Sequence, residues 1–174
     1  MFISVLVAIG CLASNVIADG ASIVAALDKI SDATAQLNNS VISWDGSLLG
    51  TLPIIADSTA LLADINSATK TAEQSANLTD LEALGVGLAT LSLASDVNTT
   101  LATIEAAKPK FQRLLLAPLI LLNLELEKGA TDQFSAAVLQ KVPAALQSTA
   151  EGITSGIDDA FDQAINDYNL LSDL

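Results

Sequence analysis

The sequence predicts an all-α protein, a bundle of five to six amphipathic helices. Three observations predict it. Apolar residues recur in steps of three and four along most of the chain, the spacing of one helix face. No run of β-branched residues alternates with period two over a useful length. Prolines and several glycines fall where the periodic stretches break, at positions such as Gly46, Pro53, Pro109, Gly129 and Pro143.

The first stripe is Ile23, Leu27, Ile30, Thr34, Leu37, Val41 and Trp44. Asp45-Gly46 stops it, glycine being suited to the left-handed position past a helix end. A second helix starts near Pro53, where a missing N–H is tolerated. Its stripe includes Ile55, Leu62 and Ile65 and fades into the polar stretch 66–77. Thr79 with Glu82 has the spacing of a capping box, and the stripe behind it runs Leu81, Leu84, Leu88, Leu91, Val97, Leu101 and Ile104. Gly85 and Gly87 weaken it, each by up to about 1 kcal/mol. Lys108-Pro109 is expected to close that helix, since the residue before proline is pushed out of α geometry.

Leu114 to Leu126 reads LLLAPLILLNLEL, the most apolar run beyond the N-terminus. Thirteen residues are too few to span a bilayer, so a nearly fully buried helix, kinked at Pro118, is expected, ending at Gly129. Thr131 then caps a helix with Phe134, Val138 and Leu139 inward, and Pro143 kinks or restarts it. The last stripe is Leu146, Ala150, Ile153, Ile157, Phe161, Ile165 and Tyr168. Short turns would join these helices as antiparallel neighbours.

Residues 1–18, MFISVLVAIGCLASNVIA, carry no charge and end in small residues, with Val16 and Ala18 at −3 and −1 of a cleavage point before Asp19. They are expected to be a secretory signal peptide, although a basic n-region is missing. The single helical-bundle domain is then 19–174. The only Cys (Cys11) and the only Met (Met1) belong to the signal, so the domain folds without disulfides. Asn38, Asn77 and Asn98 head three N-x-[ST] sequons and are candidate glycosylation sites.

Composition excludes more than it proposes. Of 174 residues, twenty are acidic, seven basic and none histidine, for a net charge of −13. Nucleic acid needs clustered Lys and Arg, and an anionic membrane surface attracts basic segments, so both partners are disfavoured. Without His, the Ser-His and Cys-His nucleophile systems and the usual metal-ligand sets are absent. Asp158, Asp159 and Asp162 cluster on the last helix with the spacing of a solvated face. No catalytic residue, metal site or cofactor is expected. Lys108, Lys110 and Arg113 are the one concentration of positive charge. They are either basic groups offsetting the acidic surface or candidates to pair with a carboxylate headgroup.

The helices are rich in Leu, Ile and Ala, while aromatic residues make up only 3% of the chain. Such a core is either solid, Leu interleaved with Ala, or encloses an elongated apolar cavity that takes a guest. A 20-residue helix is about 30 Å long, enough to flank an extended acyl chain.

A family resemblance bears on the choice. Val41-Ile42-Ser43-Trp44-Asp45-Gly46, the run Ile104 to Phe111 (IEAAKPKF), Phe134-Ser135-Ala136-Ala137-Val138 with Lys141-Val142-Pro143, and Ile157, Phe161, Ala164-Ile165 and Tyr168 carry it. On these residues the chain resembles the fungal hydrophobic-surface-binding protein A and antigenic cell-wall galactomannoprotein family, over about 21–168. The resemblance implies a secreted or wall-associated, non-enzymatic helical domain that binds hydrophobic surfaces or holds fatty acids in an apolar tunnel. No Ser/Thr-rich stalk or C-terminal apolar tail follows, which favours a freely secreted form.

The expected function is lipid binding in an apolar cavity, adsorption to hydrophobic surfaces, or both. The alternative is a structural wall mannoprotein without a small-molecule ligand. Cavity candidates are Leu115, Leu119 and Leu122, sharing a face by spacing, with Ile104, Phe111 and Ile157 opposite. Expected partners are a fatty acid or other lipid, hydrophobic solid surfaces, and cell-wall polysaccharide or a recruited secreted hydrolase.

Overall fold

The computed structural model describes residues 19–169. The expected signal peptide and residues 170–174 lie outside the described residues. Five helices follow one another: α1 (Asp19–Ser43), α2 (Thr51–Gln74), α3 (Asp80–Arg113), α4 (Ala117–Leu139) and α5 (Gln147–Tyr168). Short connections reverse the chain each time. Helices α1, α3 and α5 therefore run one way, α2 and α4 the other. α1 packs on α2 and α3, α5 on α3 and α4, and α2 on α4, while α3 and α4 scarcely touch. The helices thus stand in a ring, in the order α1, α2, α4, α5, α3, around an apolar axis. Its lower end is where α1 begins; its upper end holds Trp44.

The α1 stripe lies inward at every expected position, from Ile23 to Trp44. Gly46 follows with φ +86°, the left-handed conformation its sequence position calls for. At this upper end three aromatic rings meet. Trp44 stacks on Phe111 at 4.4 Å between centroids, and Tyr168 meets Phe111 edge-on at 6.5 Å.

α2 continues through the polar stretch to Gln74 because its inward face there is Ala68 and Ala72, residues small enough for close helix approach. Inward positions are Ile54, Leu61 and Ile65; the expected Ile55 is exposed and Leu62 half-buried. α3 starts on the capping box: the Glu82 amide donates to the Thr79 hydroxyl at 3.3 Å and the Thr79 amide to the Glu82 carboxylate at 2.9 Å. Those bonds to Thr79 hold the Glu82 carboxyl below its ordinary pKa.

Pro109 does not end α3, which runs on to Arg113. A helix-internal proline costs about 3 kcal/mol, and what offsets it is the burial of Phe111, 1% exposed, in the aromatic cluster. The end falls instead at a Schellman turn. The Leu116 amide bonds the Phe111 carbonyl at 2.9 Å, and Leu115 donates to Gln112 at 3.0 Å. Leu115 takes the left-handed position with φ 60°, where glycine is usual.

That turn corrects the expectation for 114–126. α4 begins only at Ala117, with Pro118 in its first turn, so there is no kink. It passes through Gly129 and Thr131 without a break to Leu139, and the two helices expected there are one. α5 buries Ile157, Phe161, Ala164 and Tyr168 and leaves Leu146, Ala150 and Ile153 half-covered at the lower end.

Candidate functional site

The lower half of α3 carries the feature that positions the site. Its inward face is built of Ala83, Val86 and Leu93. The larger Leu84, Leu88 and Leu91, expected in the core, are 57%, 70% and 51% exposed. They stand beside the gap left where α3 fails to meet α4. α4 contributes Ser135, Val138 and Leu139 to the other wall, the following turn adds Val142, and Leu146, Ala150 and Ile153 of α5 and its approach complete it. Together they enclose a cleft of about 340 Å³ whose few polar groups, Thr90, Ser135, Thr149 and Thr154, are hydroxyls. That volume and lining are those of a small-molecule pocket, which runs from about 300 to 1,000 Å³. No charged side chain lines it. A larger hollow of about 430 Å³ between α2 and α4 is lined by Glu73, Gln133, Gln140 and Lys141 among others, a polar surface suited to water.

Farther along the axis two small cavities follow. One of about 30 Å³ is bounded by all five helices, its lining including Leu93, Phe134 and Ile157, the next buried residues of α3, α4 and α5 beyond the cleft. The next, about 20 Å³, reaches Phe111 and Ile120. Glu127 lines both. It is 4% exposed and accepts a hydrogen bond from Ser58 at 2.6 Å. Burial pushes its carboxyl up to about 7 against the opposing pull of the Ser58 bond.

Of the expected cavity residues, Ile104 and Ile157 line the central cavity, and Ile104 and Phe111 the upper one. Leu115, Leu119 and Leu122 line none of these four hollows. They are 86%, 38% and 50% exposed, because α4 begins later than expected and turns Ile120, Leu124 and Glu127 inward instead. With Leu126 on α4, and Leu52 and Ile55 on the packed neighbour α2, they leave a second apolar feature, an uncovered outer face.

Lys108, Lys110 and Arg113 stand at the upper end, about 25 Å along α3 from the cleft by the helical rise. Lys108 donates to the Asp167 carbonyl. Lys110 donates to the Trp44 carbonyl at 2.9 Å and lies 5.8 Å from the centre of its ring. The sequons differ in presentation. Asn77, in the α2–α3 turn, and Asn98, on α3, are exposed, whereas Asn38 is half-buried with its side-chain oxygen unpaired. Asp158, Asp159 and Asp162 sit on α5, where Lys128 lies 3.7 Å from Asp162 and 3.3 Å from Asp132. Among the described residues no group of His, Cys, Asp or Glu is arranged to hold a metal, and no helix is long and apolar enough to cross a membrane.

The cleft and Glu127 were the parts sequence reasoning missed. The signal for the cleft was present, a Leu84-Leu88-Leu91 stripe beside a second, smaller-residue stripe on the same helix. α3 packs on α1 and α5 but scarcely meets α4, and the outer leucine stripe is left at that gap.

Fold and site together define a helical bundle built around an apolar cleft. The chain belongs to the family described as Hydrophobic surface binding protein A, which it matches over residues 20–140. It is 24% identical over 147 residues to cell wall mannoprotein 1 of Aspergillus flavus, an alignment covering 84% of this chain. The chain spans about half the length of that curated relative, 53%. Among solved structures it is similar to Afmp4p in complex with palmitic acid, at 29% identity and TM-score 0.84, covering 86% of this chain and 99% of that one. Ligand binding domain 1 of the Penicillium marneffei MP1 protein, complexed with arachidonic acids, shares the fold at 18% identity and TM-score 0.83, over 87% and 99% of the two chains.

Proposed function

We propose that this protein is a non-enzymatic lipid carrier that takes a long-chain fatty acid into the cleft between α3, α4 and α5. The observation that carries the proposal is the uncovered Leu84-Leu88-Leu91 stripe facing an apolar wall across about 340 Å³. Water against such walls gains nothing, and each methylene buried there contributes roughly 0.8 kcal/mol. A dozen methylenes give on the order of 10 kcal/mol before association costs, which makes the acyl chain the main source of affinity. The palmitic acid complex of the similar Afmp4p supports this ligand class.

A second reading stands beside it. The outer face of Leu115, Leu119, Leu122 and Leu126 fits adsorption to hydrophobic solids, in keeping with the family description. Leu115 favours it, since a leucine held left-handed costs roughly 1–2 kcal/mol and here 86% of the side chain faces solvent. A secreted, wall-associated location, glycans at Asn77 or Asn98, and contact with wall polysaccharide or a recruited hydrolase are further parts of this proposal, supported by the mannoprotein relative.

Titration of delipidated protein with palmitic acid tests the first reading. Saturable binding that Leu88→Asp weakens at least tenfold supports it, and binding that ignores Leu88→Asp refutes the cleft as its place.

A further inference from the structure

A buried carboxyl in an apolar axis is expensive to keep, and lipid uptake into the cleft alone does not use it. Glu127 lies on α4 two helical turns above Ser135, about 12 Å by the helical rise, and so beyond the inner end of the cleft. It borders both inner cavities, and its carboxyl hydrogen-bonds to Ser58 alone. The other hydroxyls facing the central cavity, Thr34, Thr100 and Thr131, donate to backbone carbonyls of their own helices. No charged side chain of α1, α2, α3 or α5 lines either cavity.

We propose that Glu127, oriented by Ser58, is the headgroup subsite for a carboxylic acid ligand, which enters head first and leaves its acyl chain in the cleft. This rests on the lipid-binding reading above. A neutral glutamic acid offers one donor and one acceptor, the complement of a second carboxyl group. A terminal methyl offers neither and would leave the buried acid unmatched. The cleft itself has no cation to hold a carboxylate at its mouth, and the basic cluster stands at the far end of α3. Seating the headgroup requires Leu93, Phe134 and Ile157 to turn aside, since the cavity they line holds only about 30 Å³.

The geometry carries a pH dependence. Two carboxyls with a proton between them attract, whereas two carboxylates in one apolar site repel. The burial that raises Glu127 to about 7 places that change near neutrality. Retention in acid and release in base follow.

Palmitic acid labelled with ¹³C at the carboxyl group, bound to the whole protein, reads this directly. The bound carboxyl resonance is expected to stay in its neutral-acid position between pH 5 and 6.5 and to be shielded from a soluble paramagnetic reagent. Affinity should fall at least tenfold more between pH 6 and pH 8.5 in the wild type than in Glu127→Gln, which keeps a donor and an acceptor but does not titrate. A bound resonance that titrates like an exposed carboxylate and broadens with the reagent overturns the subsite and leaves cleft binding standing. So does a Glu127→Leu protein whose stability changes while its bound resonance does not, the mark of a purely structural α2–α4 link. No bound resonance in any of the proteins overturns the lipid-binding reading itself.

Discussion

The Tyr168 hydroxyl, at the end of α5, donates a 2.7 Å hydrogen bond to the Ile104 carbonyl of α3. The acceptor lies one residue before Glu105, whose carbonyl is the one that loses its helical donor at Pro109. Tyr168 is fully buried, and burial pushes its phenol above the ordinary tyrosine range, so it remains a donor at every physiological pH. α5 therefore closes the ring partly through a side-chain hydrogen bond to the backbone of α3. Tyr168→Phe keeps the ring against Phe111 and removes the bond. A loss of about 1–2 kcal/mol is expected in urea unfolding, whereas a change within a few tenths would mean that water serves the carbonyl equally well.

Glu127 makes the fold less stable as pH rises through the acid range. Its folded-state pKa of about 7 lies above the 4.5 of an unperturbed glutamate. Below 4.5 both states hold the proton; between 4.5 and 7 only the folded state does, so unfolding gains; above 7 the penalty is constant. The full difference is on the order of 3 kcal/mol. Denaturant midpoints of the ligand-free protein at pH 5 and pH 8 should show it, and Glu127→Gln should flatten the profile in that window.

Leu115 separates stability from surface activity. Leu115→Gly relieves a left-handed leucine and is expected to stabilise by about 1 kcal/mol. The same change removes the most exposed large apolar side chain among the described residues. Thermal unfolding should rise while adsorption to a hydrophobic resin falls. Unchanged adsorption would place the adhesive face elsewhere.

Gly87 and Gly85 form a matched pair on α3. Gly87 lines the cleft, and a Cβ there would meet only Ile153 Cδ1 at 3.9 Å; at Gly85 it would meet nothing within 4 Å, and Gly85 does not line the cleft. Replacing either glycine with a helix former should stabilise by up to about 1 kcal/mol. Gly87→Leu also fills the cleft, so fatty-acid affinity should drop at least tenfold as stability rises, while Gly85→Ala leaves affinity alone. Parallel losses in both variants would point to rigidity of α3 instead of space.

Much of the fold was legible in the sequence. Where apolar and polar residues alternate cleanly, as from Ile23 to Trp44, the stripe has one phase and every position fell inward. From Leu114 to Leu126 nearly every residue is apolar, so periodicity carries no phase, and Leu115, Leu119 and Leu122 looked as good as Ile120 and Leu124. Gly129 and Thr131 resembled a break because local propensity cannot weigh the packing of Glu127, Ala130 and Phe134 on either side of them. Pro109 was outvoted in the same way by Phe111. The cleft escaped because a leucine stripe reads as core whether a neighbour covers it or not. Glu127 escaped because, in sequence, one glutamate among Leu-Glu-Leu-Glu-Lys is indistinguishable from a solvated one.

The most direct measurement is calorimetric titration of the delipidated protein with palmitic acid below its aggregation concentration, beside Gly87→Leu and Gly85→Ala. Saturable binding with micromolar or tighter affinity in the wild type and Gly85→Ala, strongly weakened in Gly87→Leu, is the predicted result. No saturable binding, or equal binding by all three proteins, would contradict the cleft as a fatty-acid site.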